Sequence, residues 1–195
     1  AAAPAGATTL RFDLDTTALS GTAAYLAFDF IAGDDFLGNN TVVIRDFTTD
    51  ATSLGTAVTT GTVSGDLPGL VTLTDSGFSE LLQPLTLGNA VHFTLDLTEH
   101  RATGPLPDAF SFFLLDDAFY PLFSTDDPFG IGTLFAVDIT GAPSGFLYRY
   151  NYTDTGTPVT WTLNPVAAPE PSTVLLFGAG LLGWMTHRRR RPASS

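Results

Sequence analysis

The feature that most constrains this chain is a two-residue hydrophobic period that recurs along most of its length. Leu10, Phe12 and Leu14 alternate with Arg11, Asp13 and Asp15, and Ala24, Leu26, Phe28 and Phe30 repeat the pattern within residues 22–31. Val91, Phe93, Leu95 and Leu97 alternate with His92, Thr94 and Asp96. Phe110, Phe112 and Leu114 follow, then Phe135, Val137 and Ile139, and last Val159, Trp161 and Leu163. Successive side chains of a strand point to opposite faces, so each segment turns one face to a core and the other to water. Thr41–Phe47 is β-branched and continuous, and Gly, Asp, Asn and Pro punctuate the intervals. The expected fold is all-β, an antiparallel two-sheet sandwich of eight to ten strands with jelly-roll-like winding. Only Ser79–Gln83 reads as helical, a single turn stopped by Pro84. Phe146, Tyr148, Tyr150 and Tyr152 share one face of a further segment. They are read first as half of the core, and second as a flat platform for sugar rings.

Composition supports a core of this kind without covalent help. Some 165 residues precede the C-terminal tail, and the chain's 16 Phe, 5 Tyr and 2 Trp supply a packed interior. Cysteine is absent, which excludes disulfides, a thiol nucleophile and thiolate metal sites. Lysine is absent as well. Residues 1–165 carry 19 acidic groups against Arg11, Arg45, Arg101 and Arg149, a net charge of −15. Such a body repels phosphate backbones, so nucleic acid is excluded as a partner.

Signatures of catalysis are missing. There is no G-x-S-x-G or H-E-x-x-H, and His92, His100 and His187 lack metal-ligand spacing. No catalytic residue is assigned and no enzyme activity is expected. Asp34, Asp35, Asn39 and Asn40 cluster hard oxygen ligands in one Gly-containing loop, which makes them candidate ligands for a structural Ca²⁺. No other cofactor is expected. Asp and Asn are also ordinary turn residues, and that reading weighs more, here and at Asp116-Asp117 and Asp126-Asp127.

The strongest signal lies at the C-terminus. Between Glu170 and Arg188 run 17 residues without a formal charge. As a helix they would span roughly 25 Å, the short end of what crosses a bilayer. Trp184 falls near the far end, and Arg188, Arg189, Arg190 and Arg191 would remain cytoplasmic by the positive-inside rule. Pro169-Glu170-Pro171-Ser172-Thr173, then an apolar Leu/Gly segment, then an Arg cluster resembles the PEP-CTERM sorting signal of exopolysaccharide-producing Gram-negative bacteria. The resemblance implies that exosortase, a membrane-embedded cysteine transpeptidase, recognises Pro169, Glu170 and Pro171 and processes the tail. More loosely, the body resembles a group of PEP-CTERM proteins without an assigned activity, through Gly38–Val42, Gly65–Leu67, Thr72–Ser76 and Pro107–Phe112.

These readings divide the chain into an extracytoplasmic sandwich over 1–163, a Pro/Ala linker over 164–168, the sorting signal over 169–191 and a cytoplasmic end over 192–195. The Ala1-Ala2-Ala3 start fits either an arbitrary boundary or the small-residue stretch at a signal-peptidase site. The expected life of the protein is an inner-membrane-anchored precursor with a periplasmic domain, then residence at the cell surface or outside. Its expected partners are exosortase, the lipid bilayer and exopolysaccharide. A carbohydrate-binding module is the alternative reading of the body, and a glycan hydrolase the third.

Overall fold

The computed structural model describes residues 7–33, 37–101, 104–141, 146–156 and 158–166. Within them the chain forms 13 strands: β1 (Ala7–Asp15), β2 (Ala23–Ile31), β3 (Thr41–Thr49), β4 (Ser53–Leu54), β5 (Val58–Thr60), β6 (Val63–Gly65), β7 (Val71–Thr74), β8 (Phe78–Thr86), β9 (Ala90–Thr98), β10 (Asp108–Leu115), β11 (Thr133–Ile139), β12 (Phe146–Arg149) and β13 (Thr160–Pro165). Six make one sheet in the order β13-β1-β9-β3-β7-β6. The other seven form β12-β11-β10-β2-β8-β4, with β5 also paired to β8. Every pairing is antiparallel, and β1, β2 and β3 pass from one sheet to the other and back, the winding expected of a jelly-roll-like sandwich. The excess over eight to ten strands comes from β4–β7, segments of two to four residues too short to show a period.

Five phenylalanines lock the two sheets together. Phe12 of β1 and Phe93 of β9 come from the first sheet, and Phe28 of β2, Phe112 of β10 and Phe135 of β11 from the second. All five are buried. Phe112 touches the other four, at centroid separations of 5.0 Å to Phe12, 4.9 Å to Phe28, 5.2 Å to Phe93 and 5.6 Å to Phe135. Tilted and edge contacts of this kind add about 0.5–1.5 kcal/mol per pair beyond the burial of area. The phases assigned from sequence hold: Leu10, Leu14, Leu26, Phe30, Leu95, Leu97, Phe110, Val137, Ile139, Val159 and Leu163 all face this core.

Three local readings need correction. Ser79–Gln83 is not helical but lies in β8, with Ser79, Leu81, Gln83 and Leu85 buried in strand alternation. Pro84 is tolerated because its missing N–H falls where the neighbouring partner changes from β4 to β5. There the Gly55 N–H donates to the Pro84 carbonyl at 2.9 Å, and the Gln83 Nε2 donates to the Gly55 carbonyl at 2.7 Å. A side-chain amide thus replaces the donor that proline lacks. Thr41–Phe47 lies in one strand as expected, β3, although its register with β9 shifts between Arg45 and Thr48, where Asp46 adopts φ 53°. The left-handed residue forms a bulge that resets the alternation, so Phe47 reaches the core after Val42 and Ile44.

Phe146 and Tyr148 are not core residues. They are 62% and 42% exposed, and Leu147 between them packs inward. The expected stripe of four breaks where β12 ends at Arg149: Tyr150 is half-buried and Tyr152 packs against the core. Finally, Asn164 and Pro165 end β13 rather than begin the linker, and pair with Arg11 and Leu10. Pro165 fits there because β13 is an edge strand with only β1 beside it.

Replacing Phe112 with Ala should cost about 3–5 kcal/mol, because the cavity opens between four rings that cannot collapse together. Phe146→Ala should stay within about 0.5 kcal/mol. Denaturant midpoints measure both, and equal losses would refute this placement of the core.

Candidate functional site

Of the candidate calcium ligands, Asp34 and Asp35 lie outside the described residues, Asn39 is exposed, and Asn40 is fully buried. The Asn40 amide joins several segments. Its backbone N–H donates to both carboxylate oxygens of Asp75 at 3.1 Å, and its Nδ2 donates to Asp108 at 2.7 Å and to the His100 carbonyl at 2.5 Å. Its Oδ1 accepts from the Thr98 hydroxyl at 2.9 Å and the His100 N–H at 2.8 Å. Asp108 also accepts from the Gly33 N–H at 2.7 Å. Burial, and then a hydrogen bond with Asp108, push Asp75 up to about 6. Both are fully buried. This network ties the ends of the 34–36 loop to β7 and β10. Among the described residues, no group of three or more His, Asp or Glu is arranged to hold a metal ion.

The paired loop carboxylates serve as turn acceptors. Asp116 Oδ1 accepts from the Ala118 and Tyr120 N–H groups. Asp126 holds the Asn151 backbone and side chain, and Asp127 holds Phe129 and Thr133.

Asp29 is different. It sits on the outer face of the second sheet, between Glu80 of β8 and Ser111 of β10. Its Oδ1 is buried and has no hydrogen-bond partner. Burial first, and the charge of Glu80 second, raise its carboxyl to about 7.

Two grooves flank β13. One groove of about 400 Å³ is lined by Asp13, Asp15, Asn89, His92, Thr160 and Trp161, among others. A second, of about 370 Å³, is lined by Arg149, Tyr150, Tyr152, Pro158, Thr160 and Trp161. Thr160 and Trp161 line both, but the half-buried indole packs on the core side of β13 with Leu163, whereas Asp13, Asp15, Thr160 and Thr162 lie on the outer side. Phe123 backs it at 6.1 Å and 30°. On one wall Asp13 accepts from His92 Nδ1 at 2.7 Å and from Arg11 at 3.1 Å, and the Arg11 bond holds its carboxyl below the usual range. Asp15 is held low by hydrogen bonds from Thr17. Sequence reasoning placed Trp161 only as one more core-side residue. Its half exposure at the edge of the sheet, beside residues from segments some 70 and 150 positions away, left no local signal.

The sorting residues Pro169, Glu170, Pro171 and Arg188–Arg191 lie outside the described residues. Among the described residues no helix is long and apolar enough to cross a membrane. The structure brings their attachment point into view: the chain leaves β13 at Val166, whose N–H donates to the Thr9 carbonyl at 2.9 Å. Beyond that point, residues 167–191 match the family model of the PEP-CTERM protein-sorting motif. The chain carries a PEP-CTERM sorting motif. The motif marks an exosortase-sorted protein, a membrane-associated precursor destined for export. No curated protein and no solved structure matches the chain.

Asp29 makes this PEP-CTERM sandwich sensitive to pH. Its folded-state pKa lies above the unfolded one, so the folded state binds the extra proton and loses stability as pH rises from about 4 to about 7. A shift of that size is worth on the order of 4 kcal/mol. Asp75 acts in the same direction over part of the window. In Asp29→Asn the fall in urea midpoint between pH 4 and pH 8 should shrink by more than half. An unchanged fall would remove Asp29 as its source.

Proposed function

We propose that the protein is a non-enzymatic component of the cell surface or extracellular matrix. Its tail inserts in the inner membrane with the sandwich in the periplasm, exosortase processes the tail, and the sandwich then associates with exopolysaccharide. The sorting motif over residues 167–191 carries this reading. The 17 uncharged residues before Arg188 support the membrane anchor, and the terminal Arg cluster supports its orientation.

The carboxyl groups support a non-enzymatic role. General acid catalysis needs an accessible acid whose pKa is raised toward the working pH. Asp75 is raised but fully buried, Asp29 is raised with Oδ1 sealed from water, and the half-buried Asp138 is raised but engaged by the Tyr148 hydroxyl at 3.2 Å. The carboxylates that do line an open groove, Asp13 and Asp15, are shifted the other way. A structural Ca²⁺ bound through Asp34, Asp35 and Asn39 remains compatible with this role as a stabiliser of the loop.

In the native host, Glu170→Ala should leave membrane insertion intact and block processing, so uncleaved precursor accumulates in the membrane fraction. A reporter fused after Ser195 should be cytoplasmic, and one inserted after Val166 periplasmic. Trimming and release of the Glu170→Ala protein at the parental rate would overturn the recognition role of Pro169-Glu170-Pro171. Both reporters on one side would overturn the anchor.

A further inference from the structure

We infer that the end of the sandwich from which the sorting tail departs is a lipid-docking surface, held against the bilayer while the tail anchors the precursor; this rests on the proposed insertion of the tail and adds an orientation for the folded domain. The Asn40 network marks that end. It joins Gly33 beyond β2, Asp75 beyond β7, Thr98 at the close of β9 and Asp108 at the start of β10. Val166 belongs to the same end, because its N–H bonds Thr9 and β1 begins opposite Thr98. Around this buried polar hub the surface is apolar. Ile31 and Phe78 pair across β2 and β8, the Leu106 carbonyl abuts Gly33, and Leu37 shortly precedes β3. Phe146 lines a hollow of about 290 Å³ with Arg101, Pro105 and Pro107. Ile31, Leu37, Phe78, Leu106, Phe146 and Val166 are each 43–64% exposed.

Two observations select a bilayer as the occupant. The first is reach. Five residues carry the chain from Val166 to Pro171, where the uncharged segment begins, a span of at most about 18 Å when fully extended. An inserted tail therefore keeps this end at the membrane, and so short a tether makes weak contacts effectively intramolecular. The second is charge. The opposite end also exposes apolar side chains, Phe119 and Phe129, but there they stand among the exposed Asp15, Asp50, Asp117 and Asp126. At the exit end none of the described carboxylates is exposed: Asp75 and Asp108 are buried, and Glu99 and Asp138 are half-buried. The exposed polar groups beside the hub include His100 and Arg101, and a guanidinium can meet lipid phosphate. Asp34 and Asp35 precede Leu37 outside the described residues and offset that single cation, so apolar contact carries the docking and zwitterionic lipid suffices. Strands of nine residues place the acidic end about 30 Å farther out, in water.

Because the chain has no cysteine, single-cysteine variants of the full chain can be labelled at one chosen position. In phosphatidylcholine vesicles a fluorophore is attached in turn through Leu106→Cys, Phe129→Cys and Ala179→Cys, then quenched by nitroxide-bearing lipid or by aqueous iodide. Position 179 reports on the anchor, 106 on the exit end and 129 on the opposite end. Nitroxide lipid should quench the labels at 106 and 179 about threefold or more beyond the label at 129, and iodide should show the reverse order. Adding Leu37→Asp and Phe146→Asp, both at exposed positions, should keep the melting temperature and free the label at 106 to iodide while position 179 stays in lipid. If 179 is in lipid and 106 answers iodide as freely as 129, docking falls and the anchor stands. If 179 itself lies outside lipid, the anchor falls and the docking with it. Shielding of 106 from iodide without quenching by lipid would put a second copy on the patch and overturn the assignment. Equal lipid quenching at 106 and 129, or an unchanged label at 106 in the two-aspartate variant, would overturn it as well.

Discussion

The contact between Phe12, Phe28, Phe93, Phe112 and Phe135 is what makes two sheets one body. Hydrogen-bonded ladders hold strands within a sheet, but nothing in a ladder attracts one sheet to the other. That attraction is the removal of apolar area from water, roughly 25 cal/mol per Å². Large rings supply the most area for each residue fixed, and the tilts of 29–69° among them show interdigitation rather than parallel stacking. With no disulfide in the chain, this cluster bears the load that covalent links carry in many exported domains.

The strongly acidic composition is accommodated around that core by backbone donors more than by basic side chains. Asp50 gathers the Asn89 and Ala90 N–H groups, Asp116 those of Ala118 and Tyr120, and Asp75 that of Asn40. The few arginines are placed economically: Arg45 bonds the buried Asp96 at 2.6 Å, and Thr9 donates to the same carboxylate at 2.7 Å. Where no donor is supplied, as at Asp29, the group holds its proton instead. Carboxylates satisfied by backbone N–H groups close turns, Asp15 among them, whereas Asp13 on the outer face of β1 is held by the Arg11 and His92 side chains.

Much of the framework could be read from the chain because each long strand has one wet face. Leu10-Phe12-Leu14 and Val91-Phe93-Leu95-Leu97 declare both the strand and its inner side, and they pair with one another in β1 and β9. Period two states which residues share a face but not which face turns inward, and Phe146 with Tyr148 shows the difference. Pro84 defeated the local reading because its remedy needs Gly55, in the loop between β4 and β5, 28 residues from the Gln83 amide that bonds it. The same distance in sequence hid the sites. Asn40 meets Asp75 and Asp108 across 35 and 68 positions, and the first groove draws on β1, β9 and β13. The sorting tail, by contrast, is written in consecutive residues and needs no fold to be recognised.

The interrupted partner of β8 has a wider meaning at the margins of the sandwich. One sheet is bounded by β6, with three residues, and the other by β12, with four, and by β4 and β5, with two and three. Only β13 presents a longer border, and it ends in a proline. Unpaired strand borders recruit other chains into extended sheets, and short or proline-marked borders are how soluble β proteins prevent it. Residence among its own copies in the proposed matrix would expose the protein to that hazard. The brevity of these outer strands costs the fold some ladder hydrogen bonds and leaves little border on which another copy could pair.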